Sequence, residues 1–378
     1  MADWIAVCYG ALDVEARDDF EGLPELLVLP VFPVANPVAL SGEVASFWRR
    51  MVAGPVTDEE VTEDERYLLA EFAAFGIASC VLTHPARLRE IPQPWLFSPM
   101  HELVNSLVAS VARDSGVEVL FIKGPVLTRQ QLRHKKHSGD VDVWVEPGKI
   151  SLLEASLAEW GWSSQFVVWD GSNVTHSSAM DPGDWGCQID IHGFFPGVGV
   201  EPEEAFVVIG EASEIVPFAG VEAHCPSRPV HAVISALHSV RPEIGKEVSA
   251  DRLEKAVGVL QKAGEETLVV ARTLGASAPL DAVFRTAFPE ADIPDPGPLP
   301  ASWVWRTKGN VFVAFFSALN GVPRRQRFGY FWRVIWPSEE AAIASEARAG
   351  SMERRPLRMR LNRLGRGARQ ALSRWKDQ

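Results

Sequence analysis

From Met100 to about Cys225 the period of the apolar positions changes repeatedly. HELVNSLVASVARDSG repeats apolar residues every three to four positions and predicts an amphipathic helix, whereas VEVLFI is a continuous apolar run of strand length. GPVLTRQQLR reads as a second, short helix, VDVWV as a strand and ISLLEASLAEWGW as a third helix. SSQFVVWD, NVTHSSAM and WGCQIDIHGFF then follow as strands. A helix–strand–helix–strand opening followed by a meander is an α+β arrangement with a mixed sheet. Beyond about Cys225 the pattern is helical, in VHAVISALHSV, ADRLEKAVGVLQKAG and WVWRTKGNVFVAFFSALNGV.

Upstream, LPELLVLPVFPV has the Pro-punctuated look of short strands, and LSGEVASFWRRM places Val44, Phe47, Trp48 and Met51 on one helical face. Two capping signals follow, Thr57-x-x-Glu60 and Thr62-x-x-Glu65, each able to satisfy free N–H groups at a helix start. The second leads into YLLAEFAAFG, which ends on Gly76. Strands, three helices and a closing IASCVL predict a small winged-helix-like domain over residues 1–82. THPARLREIPQPWLFSP, with four prolines, marks a linker at 83–99. The remaining divisions expected are a core at 100–225, a helical domain at 226–340 and an Arg-rich terminal helix at 341–378.

The composition, 47% hydrophobic and 23% charged over 378 residues, is that of an ordinary globular protein. No apolar run approaches the roughly 20 residues of a membrane helix, and the acidic N-terminus lacks the basic region of a signal peptide. A cytoplasmic protein with reduced thiols is expected, because its four cysteines form no metal-binding or disulfide pattern. The net charge of −12 is unevenly spread: residues 1–80 hold fifteen acidic and four basic side chains, and residues 351–378 nine basic and two acidic. The acidic N-terminal region argues against DNA as a partner.

The chemistry concentrates in FIKGPVLTRQQLRHKKHSGDVDVWVE. Strand alternation puts Val141, Val143 and Val145 on one face and Asp140, Asp142 and Trp144 on the other. Carboxylates at i and i+2, roughly 6 to 7 Å apart along a strand, can share or bridge hard cations. A half-buried strand with its polar side in water shows the same alternation. Lys123, Arg133, His134, Lys135, Lys136 and His137 gather positive charge nearby, while Gly124, Ser138 and Gly139 leave backbone N–H groups approachable by a phosphate. CQIDIHG repeats the alternation, with Asp190 and His192 on one side, and adds a third carboxylate. His192 and His176 are candidates for contacting or orienting an acceptor, or are structural histidines. GxxxxGK[ST], GxSxG and HExxH are all missing, so P-loop, serine-hydrolase and zincin chemistry lack their groups.

With these motifs in place, residues from about 100 to 340 resemble an uncharacterised nucleotidyltransferase family of the DNA polymerase β-like superfamily. The resemblance rests on Lys123-Gly124, on Gly139-Asp140-Val141-Asp142-Val143-Trp144-Val145 and on Ile189-Asp190-Ile191-His192. His238 and Trp336-Pro337 agree with its helical C-terminal part, whereas Lys123-Gly124-Pro125 replaces the superfamily's usual Gly-Ser. The resemblance implies a metal triad of Asp140, Asp142 and Asp190 binding two Mg2+ ions. It also implies a nucleoside triphosphate substrate held by Lys123, Gly124, Arg133, Lys135, Lys136, Ser138 and Gly139. Residues 1–82 resemble the PqqD-like domains that grip leader peptides, which implies a peptide partner. The expected function is transfer of a nucleoside monophosphate, AMP from ATP, to a small molecule or peptide in natural-product or polysaccharide biosynthesis. The alternatives are a non-catalytic peptide-binding scaffold and a transferase of another group on the same fold.

Overall fold

The computed structural model describes residues 2–17, 24–134, 139–165, 174–293, 295–339, 342, 343, 346, 350, 354–362 and 364–366. Lys135, Lys136, His137, Ser138 and most of the Arg-rich end lie outside the described residues. The fold is α+β. It opens with β1 (Asp3–Ala6), β2 (Gly10–Asp13), β3 (Leu26–Leu29), β4 (Val38–Leu40), α1 (Gly42–Ala53), β5 (Val56–Thr57), α2 (Glu63–Ala74) and β6 (Ala78–Ser79). Next come α3 (Pro99–Asp114), β7 (Val119–Phe121), α4 (Gly124–Arg129), β8 (Asp140–Val145), α5 (Ile150–Ala158), β9 (Ser163–Ser164), β10 (Ser177–Asp181) and β11 (Gln188–His192). After α6 (Pro202–Glu211) a hairpin forms from β12 (Ser213–Phe218) and β13 (Val221–Pro226). The rest is helical: α7 (Arg228–Val240), α8 (Ala250–Ala263), α9 (Glu266–Thr273), α10 (Ser277–Ala287), α11 (Ala301–Val304), α12 (Val311–Asn320) and α13 (Arg324–Ile335).

The chain divides into two compact units, one of residues 1–164, 179–191 and 208–227, the other of residues 165–178, 192–207 and 228–378. In the first, β5-β1-β6 and β2-β3-β4 form two small sheets, and β7-β8-β11-β10-β9 is the order of the five-stranded one. Thr62 caps α2 in a reciprocal box with Glu65, as expected. Thr57-x-x-Glu60 instead closes a turn, in which the Glu60 N–H donates to the Thr57 carbonyl at 3.0 Å. The described residues between Gly42 and Ala74 therefore hold two helices where the capping pattern suggests three.

The run Leu26–Leu29 is apolar at every position because β3 is buried on both faces. Leu26 and Val28 pack with Ala11, Trp48 and Met51. Leu27 and Leu29 pack in a second core with Leu103, Val104, Phe121 and Val143. Residues 83–98 are irregular but bound to the strands beside them: the Cys8 N–H donates to the Ala86 carbonyl and that of Asp13 to Pro92, both at 2.9 Å. The Ala11 N–H donates to Ala219 at 2.9 Å, so this edge of β2 is closed and a peptide could add only elsewhere.

α3 starts cleanly, with Ser98 accepting from the His101 N–H and Pro99 in the first turn. It is buried over almost its whole length rather than on one stripe. Among the described residues, no helix is long and apolar enough to cross a membrane.

Candidate active site

β7 and β8 are antiparallel with Phe121 opposite Val143, and the Ile122 N–H donates to the Asp142 carbonyl at 3.0 Å. The chain then turns at Lys123 and Gly124, whose φ angles are +59° and +45°. Glycine adopts such angles freely, but a lysine there carries about 1–3 kcal/mol of strain. The turn places the Lys123 ammonium opposite β8, where Nζ donates to Asp142 Oδ1 at 2.5 Å. Both side chains are buried, 12% and 6% exposed. Asp142 thus lies on a covered side of its strand, not on a watered one.

β11 lies beside β8 and carries Asp190 and His192 two positions apart, on the same side of the strand. One ligand atom from each of Asp142, Asp190 and His192 lies within 4.8 Å of the other two. His192 is 2% exposed, and Asp190 is half-buried. Two carboxylates and an imidazole at this spacing suit a divalent cation: the carboxylates match Mg2+, and the imidazole extends the set toward Mn2+ or other transition metals.

The remaining candidates divide. Asp140 is half-buried at the start of β8, outside that three-residue group, and its backbone carbonyl lies 3.3 Å from His101 Nε2. Burial lowers the pKa of Arg133, while the carboxylates of Asp142 and Asp140 pull it back up. Arg133 Nε is buried and meets no acceptor among the described residues. A cation drawn to both aspartates with a donor to spare fits an anion-facing position. Gly139 has open space where a side chain would stand. Lys135, Lys136 and Ser138 lie outside the described residues.

His176 precedes β10, and the Gly193 N–H donates to its carbonyl at 3.0 Å. Its ring centroid lies 5.7 Å from that of His192. Arg241 Nη1 is 2.7 Å from His176 Nε2, and Arg306 Nη2 is 3.4 Å from Nδ1. Neither arginine is conspicuous in the sequence, since one follows α7 and the other lies 130 residues beyond the histidine.

No protein-family profile matches the chain, and no curated protein matches it. Among solved structures, the chain is similar to the antibiotic-resistance factor ANT(2'')-Ia, at 13% identity and a TM-score of 0.32, over 51% of this chain and 96% of that one. It is also similar to an antigenic nucleotidyltransferase-like protein from Paracoccidioides brasiliensis, at 12% identity and a TM-score of 0.32, over 52% of this chain and 99% of that one.

Proposed function

We propose that the protein is a divalent-cation-dependent nucleotidyltransferase that moves a nucleoside monophosphate, AMP from ATP, onto a small-molecule or peptide acceptor. The observation that carries this reading is the convergence of Asp142, Asp190 and His192 within 4.8 Å. Asp142 and Asp190 would hold the cation, Mg2+ in the first instance, and Asp140 is the carboxylate available to a second. A bound divalent cation would neutralise charge developing on the α-phosphate and leaving oxygens.

The chain's own groups do the rest. Arg133 draws the triphosphate toward the carboxylates. With a cation held by Asp142, the Lys123 ammonium would turn from that carboxylate to the same anion. His192 orients the acceptor hydroxyl, whose proton passes to an Asp190 carboxylate oxygen. The acceptor oxygen bonds to the α-phosphorus, the bond from that phosphorus to the β-phosphate oxygen breaks, and pyrophosphate leaves.

The Lys123–Asp142 pair also supports a second reading, a non-catalytic scaffold in which the ammonium permanently replaces the cation. Incubation with α-32P-labelled ATP, CTP, GTP or UTP, Mg2+ or Mn2+ and pooled acceptors separates the two. Label should appear on an acceptor with wild type and vanish with Asp142→Asn and Asp190→Asn. Asp140→Asn then reports whether a second cation is used. Calorimetry showing that wild type binds no nucleotide in either metal would leave the scaffold.

A further inference from the structure

The last part of the chain joins positive charge to exposed apolar surface. The segment from Ala301 to Pro337 holds six basic side chains and no acidic one, and residues 354–366 hold six arginines and no acid, in a chain whose net charge is −12. Single exposed apolar side chains are ordinary at a protein surface, but a run of large ones is not. Here Phe328, Trp332, Leu357, Leu361 and Leu364 are all exposed, Phe328 at 74%.

Residues 356–362 are helical, which sets Leu357 and Leu361 one turn apart on one side, and Leu364 follows at the spacing that continues their stripe. Met359, between them, comes off the opposite side and is fully buried. Arg366 ties the segment down further by pairing at 2.5 Å with the buried Glu346. The segment is therefore held by one side while its leucines face outward. Arg360 donates to the Pro337 carbonyl at 2.9 Å and covers the Trp336 ring at 5.1 Å, which joins these turns to the end of α13. Trp332 stacks on Trp336 with ring centroids 6.5 Å apart, and Phe328 lies one turn earlier on α13. Exposed apolar side chains thus continue from α13 to the leucines, and Arg324, Arg325, Arg333, Arg354 and Arg358 are exposed along the same two segments.

We propose that this surface, all of it in the second unit, docks on a bilayer that contains anionic phospholipid. Phe328, Trp332 and the three leucines enter the headgroup boundary, and the arginines meet lipid phosphates. A helix that lies in the interface needs an apolar stripe and a basic flank, not the long apolar run of a spanning helix. Charge complementarity selects this occupant. A nucleic acid would match the arginines but leave the leucines in water. A second copy of this chain, paired through the same surface, would set arginine against arginine. A bilayer of anionic lipid answers both features at once. The inference goes beyond the transferase reading and does not rest on it, because none of these residues belongs to the candidate active site.

The test is co-sedimentation of the full-length protein with vesicles of phosphatidylcholine alone and of phosphatidylcholine mixed with phosphatidylglycerol. Wild type should bind the anionic vesicles about tenfold or more tightly than the neutral ones, and high salt should erase most of that preference. The double variant Leu357→Gln/Leu361→Gln keeps the charge and should bind the anionic vesicles about tenfold or more weakly. Arg324→Gln/Arg325→Gln should lose affinity for the anionic vesicles only. Val207→Gln, which removes an exposed apolar side chain on α6, should bind as wild type does. Every substituted side chain is exposed, so the variants should keep the wild-type circular dichroism spectrum, and the arginine pair decides the matter if the leucine pair does not fold. No vesicle binding by wild type, equal binding to neutral and anionic vesicles, or full binding by a folded Leu357→Gln/Leu361→Gln overturns the proposal. Wild type that ignores vesicles but captures RNA, or that elutes as a dimer dissociated by the leucine variant, overturns it in favour of a nucleic acid or a second copy.

Discussion

Lys123 combines a strained backbone angle with a buried charge, and its ammonium meets Asp142. Removing one partner of a buried pair leaves the other uncompensated, at a cost of about 3–5 kcal/mol. Lys123→Met should therefore lower the melting temperature in EDTA, and Mg2+ or Mn2+ should restore much of it by supplying the missing positive charge. The same melts without restoration would show that the acids bind no cation. The sequence alone invites the opposite expectation for Asp142→Asn, namely a gain in metal-free stability as carboxylate repulsion is relieved. With Lys123 in place the variant should instead melt lower, because the amide removes the carboxylate charge that the ammonium meets. Strand alternation suffices to point Asp142 and Asp190 at chemistry. It does not show that His192 lies within 4.8 Å of both, since that depends on how β11 sits beside β8, a relation no local pattern encodes.

At the scale of elements, α3 shows what an amphipathic reading conceals. Glu102 is buried in its first turn, and its carboxylate accepts from the N–H groups of Trp95 at 2.9 Å, Leu96 at 3.0 Å and Ala219 at 3.2 Å. One acid thus ties the helix to the segment before it and to the turn of the β12–β13 hairpin. Burial raises its pKa, with the three N–H donors opposing. A raised carboxyl pKa contributes stability that is complete below the unfolded value and is lost as pH rises through the folded one. Urea unfolding of wild type should accordingly weaken from mildly acidic pH upward, and Glu102→Gln should flatten that dependence. The variant should also lose about 1–3 kcal/mol at acidic pH, where its amide NH2 confronts a backbone N–H. A wild-type profile unchanged in Glu102→Gln would assign the pH dependence to other groups. The hairpin itself was open to sequence reading, since Val216 and Phe218 alternate into the core opposite Val221 and Ala223. Its turn is Ala219-Gly220, with φ angles of +48° and +82°, where a hairpin signal is usually Asn-Gly or Asp-Gly.

At the scale of the whole molecule, the boundary at residue 82 is the feature most open to test. The acidic surface of residues 1–80 is partly knit by Arg49, which pairs with Asp13 at 3.1 Å, Glu15 at 3.2 Å and Glu25 at 2.5 Å. Exposed pairs of this kind contribute about 0–1 kcal/mol each and do not make a domain independent. The decisive term is apolar: Tyr9, Leu12, Leu27 and Leu29 belong to the core built around α3 and β8, not to the one enclosed by α1 and α2. A fragment of residues 1–82 would place all four in water and free the N–H groups of Ala11 and Asp13 from Ala219 and Pro92. At about 1.5–3 kcal/mol for each large apolar side chain, that loss rivals the entire stability of a small domain. The fragment is therefore expected to be aggregated or molten, with weak near-ultraviolet dichroism. In the intact protein, hydrogen exchange at β3 and β8 should report the same opening free energy, because each strand lines the shared core. Leu29→Ala should lower protection in both by about 2–5 kcal/mol. A soluble 1–82 fragment that unfolds cooperatively, or a Leu29→Ala effect confined to β3, would restore an autonomous N-terminal domain and with it the case for a separate peptide-binding module.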